Sequence, residues 1–236
     1  MNPEPVPRTA SEPTANFEWV KSVALAEGAS LVGSTHLSRV QAPLQLTERE
    51  LGGLEYAISI AVRLSRAVLN GLVDGPNLLY KWNYRQANSL LDKIAFILTN
   101  EIQERGYRAL PIAASQTIDW QRQLGHVSHR HVAAASGLGW IGRNNLLVTP
   151  QYGAQVRLVT VLTSLPLPQG EPMPFGCGDC YACVEACPVK ALGETAADWD
   201  YEKCFALLDH FAKRRNMNLH ICGMCVKACP GPQELR

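Results

Sequence analysis

All eight cysteines of this 236-residue chain fall between Cys177 and Cys229. That clustering constrains the fold more than any other feature. An even number of cysteines reads as a disulfide framework in a secreted chain. Here no apolar stretch follows the Pro-rich residues 1–16, so they read as a disordered tail and not as a signal peptide. With no twin-Arg motif either, the expected compartment is the cytoplasm, where grouped cysteines bind metal.

The spacing then narrows the metal. "CGDCYACVEACP" places Cys177, Cys180, Cys183 and Cys187 as C-x2-C-x2-C-x3-C with a proline after the last. This is the spacing of bacterial ferredoxins, in which three thiolates surround one cubane and the fourth belongs to the other cluster. Cys204, Cys222, Cys225 and Cys229 form a second set, C-x17-C-x2-C-x3-C, again followed by proline. The crossed rule predicts one 4Fe–4S cluster on Cys177, Cys180, Cys183 and Cys229. A second is expected on Cys187, Cys204, Cys222 and Cys225, about one helix width away (~10–12 Å). Zinc ribbons also use C-x2-C pairs, but two C-x3-C-P steps and two sets of four favour iron–sulfur.

A two-cluster ferredoxin needs only a few dozen residues, and about 165 precede the cysteines here. They read as alternating helix and strand. Phe17, Val20, Val23 and Ala24 mark a first helix that ends near Gly28. Residues 56–64 and 156–167 read as strands, the second as the more central. Leu90, Leu91, Ile94, Leu98 and Ile102 share one face of a helix over 86–105, with Gly106 placed to end it. The Pro-rich stretch 166–176 reads as a linker. The expected organisation is a tail (1–16), an α/β-type layer (17–168) and a two-cluster ferredoxin-like domain (169–236), α+β in class. The net charge of +1 argues against a broad nucleic-acid surface, and no apolar run is long enough to span a membrane.

"SGLGWIGRNN" carries Gly137, Gly139 and Gly142 as G-x-G-x-x-G. A dinucleotide site would need a strand before the first glycine, a helix after the last and an acidic residue about 20 positions on. A helix-like segment precedes this one, a strand-like segment follows it, and no Asp or Glu occurs from 144 to 169. NAD binding is therefore not expected. The remaining readings are a helix-to-strand turn and a glycine loop against a large flat cofactor.

At this point the chain resembles the epoxyqueuosine reductase family and the related corrinoid-dependent reductive dehalogenases. The similarity is carried by "HVAAASGLGWIGRNNLLVTPQYGAQVRLVTVLTSLPL", "CGDCYACVEACP" and "CGMCVKACP", and runs from about Leu79 to Pro230. It implies a nitroreductase-like α/β domain that binds cobalamin, reduced through two 4Fe–4S clusters. It also implies corrinoid contacts from Ser115, Gly137, Gly139, Trp140, Gly142, Arg143 and Asn144. Several features depart from that family. Ala113, Ala114 and Ser115 stand where it carries a catalytic aspartate. Residues 116–128 look like an insertion, and the C-terminal helical-repeat region and twin-Arg leader are missing.

The resemblance implies an Fe–S oxidoreductase acting on an organic substrate, supplied by an external donor such as a ferredoxin or flavodoxin. The alternative is an electron-transfer protein with no substrate of its own. Candidate proton donors are Tyr80, Tyr84 and Tyr152. Asp119, His126, His129 and His131 gather near the insertion as possible acids or metal ligands, or as a polar loop with an N-cap at Ser128. Lys213, Arg214 and Arg215 read as a solvated helix end, or as a dock for an acidic donor.

Overall fold

The computed structural model describes residues 12–214 and 217–231, with the side chain of Arg214 left out. In chain order its elements are α1 (Glu12–Ala26), β1 (Leu31–His36), α2 (Glu48–Leu51), β2 (Tyr56–Arg63), α3 (Arg66–Asn70), α4 (Leu78–Glu104) and β3 (Ala109–Ile112). Then follow α5 (His129–Ala135), β4 (Trp140–Ile141), β5 (Leu147–Val148), β6 (Val156–Thr163), α6 (Ala182–Glu185), α7 (Tyr201–Arg214) and α8 (Met224–Lys227).

Four strands form one sheet in the order β1-β2-β6-β3, every pair antiparallel. β2 and β6 are central, and their alternation explains why they read as almost unbroken apolar runs. Ile58, Ile60, Val62, Val159 and Val161 meet α1 and α4 on one face. Ala57 and Leu162 meet Val132 of α5 on the other. Both faces are covered, so both parities of each strand are apolar. The result is a helix–sheet–helix layering of α+β type.

α4 begins eight residues before the stretch its apolar stripe marks. Asn77 accepts a hydrogen bond from the Tyr80 amide at its N-terminus. Leu78, Leu79 and Trp82 in the first turns are exposed and so belong to no buried stripe. The other end stops as expected. Gly106 sits at φ +83°, its amide reaches Gln103 O, and that of Tyr107 reaches Ile102 O. This is a Schellman closure, which needs a positive φ at that glycine.

The expected disordered tail is corrected at its inner end, since Glu12–Asn16 belong to α1. They are tied down by two contacts. Asn16 Nδ2 donates to Pro166 O at 3.0 Å, and Tyr107 Oη donates to Glu12 Oε1 at 3.1 Å. Residues 1–11 lie outside the described residues.

The linker crosses the β1 edge, where Ser34 Oγ donates to Pro168 O and Gly170 N to Ser34 O. The cysteine-bearing segment beyond it docks beside β6. There Ala154 N donates to Cys229 O at 3.0 Å and Gln155 Nε2 to Lys227 O at 3.1 Å. No described helix is long and apolar enough to cross a membrane.

Candidate functional site

The eight cysteines are drawn into two groups. Cys177, Cys180, Cys183 and Cys229 line a small cavity of about 70 Å³. Cys187, Cys204, Cys222 and Cys225 are among the residues that line a large cavity of about 680 Å³. Each group therefore mixes cysteines from both sequence sets. The turn geometry explains it. α6 and α8 are single turns that carry Cys183 and Cys225, and the chain leaves each of them toward the other group. All eight cysteines are free thiols, and Cys180 is exposed.

The electrostatics suit a cationic centre. Burial pushes the thiols of Cys222 and Cys229 up to about 11 and raises that of Cys225 as well. Neighbouring cysteines of the same group raise all three further, since thiolates repel. Four such groups ionise together only when metal cations compensate them. Hydrogen-bond donors already aim at several sulfurs. Trp140 Nε1–H donates to Cys177 Sγ at 3.3 Å, the Ala191 amide donates to Cys187 Sγ at 3.3 Å, and the Trp199 side chain is hydrogen-bonded to Cys204.

The glycine loop serves this cysteine architecture. Gly137 has φ +74° and closes α5 as Gly106 closes α4: its amide reaches Ala134 O, and that of Leu138 reaches Ala133 O. Gly139 lies directly against the Val148 carbonyl across the β4–β5 hairpin. A Cβ on Gly142 would stand 2.5 Å from a Val148 methyl and 3.4 Å from Cys177 Sγ. The strand before and helix after, which a dinucleotide site needs, are both absent.

The residues that the resemblance implies as corrinoid contacts fall in two places. Gly137, Gly139, Trp140, Gly142 and Arg143 do not line the large cavity. The hairpin folds toward the linker and the small cavity, because Gly137 packs on the Glu171 backbone and Gly142 on Cys177. Asn144 does line the large cavity. Ser115 reaches it through Tyr84, with Oη and Oγ 3.2 Å apart.

The large cavity lies between the two halves of the molecule. Tyr84, Arg157 and His129 stand on the sheet side, and Leu208, Ile221 and Met224 on the cysteine side. Two buried donors among its lining residues, Arg130 Nε and Asn144 Nδ2, have no hydrogen-bond partner among the described residues. Buried donors are normally satisfied, so these fit a bound group rich in acceptors. The volume suits a large ligand. A corrinoid, a wide ring rimmed by carboxamides, meets both conditions.

Among the candidate acids, Tyr84 is placed for chemistry. Burial is the largest single influence and raises its pKa, but the Arg157 charge and the hydrogen bonds from Ser115, Asn88 and Arg157 together outweigh it, and the phenol lies below its ordinary value. The Arg157 guanidinium is 4.3 Å from the ring centroid, and its Nε donates to Asn88 Oδ1 at 3.0 Å. Tyr80 packs against Gly223, between Cys222 and Cys225, and its pKa is pushed up by burial. Tyr152 does not line the cavity.

Among the described residues the histidines gather into no group of three or more metal-ligating side chains. His129 Nε2 bonds the Ala113 carbonyl at 3.0 Å and Nδ1 meets Thr160 Oγ1 at 2.8 Å; burial pushes its pKa down to about 4. His131 Nδ1 instead meets Ser128 Oγ at 2.6 Å. Asp119 caps a turn by accepting from the Arg122 amide, and the His126 carbonyl accepts from Gln45 N. Lys213 is exposed and paired with Asp209 at 2.7 Å. The side chain of Arg214 and all of Arg215 lie outside the described residues.

Sequence reading missed Arg157 and the cysteine-directed indole of Trp199. A signal existed for the first, because an arginine inside the apolar run "VRLVTV" demands a partner.

Comparison with known proteins bears on the cysteine segment and on the fold. Residues 176–231 match a 4Fe–4S double cluster binding domain. The epoxyqueuosine reductase of Gloeobacter violaceus is 38% identical over 116 residues, 45% of this chain and 36% of the relative. That of Listeria monocytogenes is 33% identical over 158 residues, 63% of this chain and 39% of the relative. The chain thus spans little more than a third of the length of these relatives. In fold it is similar to a catabolic reductive dehalogenase solved with 3-bromo-4-hydroxybenzoic acid, at TM-score 0.73 and 20% identity, over 95% of this chain and 34% of the other. It is also similar to an epoxyqueuosine reductase, at TM-score 0.64 and 20% identity, over 92% and 65% respectively. Both resemblances read from the motifs therefore stand, one in sequence and both in fold.

Proposed function

We propose that this chain is an iron–sulfur reductase that delivers electrons to an organic substrate held with a corrinoid in the large cavity. The observation that carries this reading is the lining of that cavity, which brings four cysteines together with Tyr84 and Arg157, Ser115 being hydrogen-bonded to Tyr84. Cys177, Cys180, Cys183 and Cys229 would hold one 4Fe–4S cluster, and Cys187, Cys204, Cys222 and Cys225 the other. When bound, the clusters supply one-electron relay and the corrinoid a cobalt able to reduce carbon–heteroatom bonds. Asn144 and Arg130 would hold acceptors on the corrin rim.

Tyr84 supplies the proton. Arg157 stabilises the phenolate that remains, Ser115 orients the hydroxyl, and the apolar residues of the cysteine side limit water. In this reading a phenol takes the place of the aspartate that Ala113, Ala114 and Ser115 lack. Tyr84→Phe should cost about 10²–10⁴-fold in turnover. An independent readout is ultraviolet titration. One tyrosine should ionise below the ordinary phenol range, disappear in Tyr84→Phe, and move upward in Arg157→Met.

The decisive test is anaerobic reconstitution followed by titration with cob(II)alamin. About eight iron and eight sulfide per chain are expected, with stoichiometric corrinoid binding. A protein that loads its clusters and ignores corrinoid would be an electron carrier, the reading that the missing aspartate favours. Zinc alone in a loaded sample would overturn both. A solved epoxyqueuosine reductase is described in complex with a tRNA stem loop. A nucleic-acid substrate thus stands beside a small molecule as the class to assay.

A further inference from the structure

The groups around the two cysteine sites differ in charge, and the difference sets an order of potentials. We infer that the outer site (Cys177, Cys180, Cys183, Cys229) is the higher-potential electron entry, that the inner site (Cys187, Cys204, Cys222, Cys225) is the stronger reductant, and that Trp140 and Arg143 fix this order. The inference rests on the ligand grouping proposed above.

Reducing a 4Fe–4S cluster by one electron adds one negative charge to it. Hydrogen-bond donors and cations near its sulfurs stabilise that charge and raise the potential; anions and apolar burial lower it. At the outer site two side chains converge on one sulfur. Trp140 Nε1–H donates to Cys177 Sγ at 3.3 Å, and the Arg143 guanidinium is also hydrogen-bonded to it. Arg143 is held there by Cys180 O at 3.2 Å and lies over the rings of Tyr181, at 4.1 Å, and Phe175, at 5.2 Å. Only 6% of it is exposed, because those two rings cover it. The nearby carboxylates of Asp179 and Glu185 are exposed, where water and salt screen them. Cys180 is exposed as well, beside the exposed rings of Phe175 and Tyr181. A one-electron carrier of the ferredoxin or flavodoxin class is oxidised here.

At the inner site the donors are neutral. They are the Trp199 side chain to Cys204, the Ala191 amide to Cys187 and the Met224 amide to Cys222. The charge acting on Cys204 is the carboxylate of Asp200, itself paired with Lys203 at 2.8 Å. Two cations stand on the cavity wall: Arg157 is engaged by Asn88 and the ring of Tyr84, and Arg130 donates to Asn145 O at 2.9 Å. The loop between Cys222 and Cys225 is packed by Leu72 and Tyr80 at Gly223. A negative charge is less well stabilised here, so an electron that reaches this site is the more reducing one.

The test is redox titration of the iron-loaded chain followed by paramagnetic resonance. Two one-electron midpoints are expected in the wild type. Cys180→Ser should perturb the signal of the higher one and Cys222→Ser that of the lower. Arg143→Met and Trp140→Phe should each lower only the higher midpoint, by about tenfold in the reduction equilibrium, or about 59 mV. Arg143→Lys should keep most of it. Trp199→Phe should lower only the lower midpoint. The wild-type measurement stands even where a variant loses its cluster. Cys180→Ser perturbing the lower-potential signal overturns the inference, as does an unchanged midpoint in a fully loaded Arg143→Met. A chain that binds only one cluster refutes the ligand grouping instead, which iron and sulfide analysis shows before any titration.

Discussion

In the sheet layer, Ile58 and Ile60 of β2 interlock with Leu91, Ile94 and Leu98 of α4, all fully buried. In the cysteine module, α6 and α8 have four residues each, far below the length at which a helix holds by itself. Ile221 is the one module residue within the main buried cluster of the described residues, with Leu219, Met224 and Val226 packed against it. The first region is held by apolar burial, written into side chains of every element. The second buries fewer apolar side chains, among them Phe211, Met217 and Ile221, and sets its thiols between short helices, so its cohesion should depend on what those thiols bind. Iron should therefore govern one region and leave the other standing.

The largest effect that would break this contrast is iron depletion. Protein prepared without iron should be cut readily by protease between residues 176 and 231, while a fragment containing the sheet survives. Equal protection with and without iron would show that the module folds without metal. Cys187→Ser sharpens the same point. It should remove the cluster held by Cys204, Cys222 and Cys225, halving the iron to about four per chain, and spare that of its sequence neighbours. Next in size is Leu98→Ala, which opens a void in the sheet layer. It should cost about 3–5 kcal/mol in denaturant unfolding of that layer, whether or not iron is bound. A cost that vanishes in the iron-free protein would mean that the two regions share one core.

A smaller effect concerns His129, half-buried where α5 meets the sheet. Its folded pKa of about 4 lies below the ordinary 6.5, so the unfolded chain takes up the proton first. Its contribution is complete above pH 6.5 and is lost as pH falls toward 4, by up to about 3 kcal/mol. His129→Asn should flatten that slope in acid unfolding of the layer. An unchanged slope would place the acid sensitivity elsewhere.

Some elements were legible because their signal is local. The C-terminal half of α4 was marked by its stripe and by Gly106, and β2 and β6 by apolar runs. The first two turns of α4 were hidden, since Leu78, Leu79 and Trp82 face solvent and break the periodicity. Glu12–Asn16 read as tail because their partners, Tyr107 and Pro166, lie more than 90 residues away. Tyr84 stood in the sequence as one of three tyrosines. Arg157 of β6 and Ser115 of the turn after β3, which distinguish it, arrive from distant parts of the chain.

The sequence by itself determined the two sets of four cysteines, the helix–strand alternation before them, and the failure of G-x-G-x-x-G as a nucleotide fingerprint. Each rests on spacing along the chain, which short loops turn directly into geometry. Only the tertiary structure decided what the glycine loop touches and where the large cavity opens. It also decided which cysteine sulfur receives the cation of Arg143. Those outcomes depend on distances between groups far apart in sequence, which are fixed when the sheet layer and the cysteine module pack together.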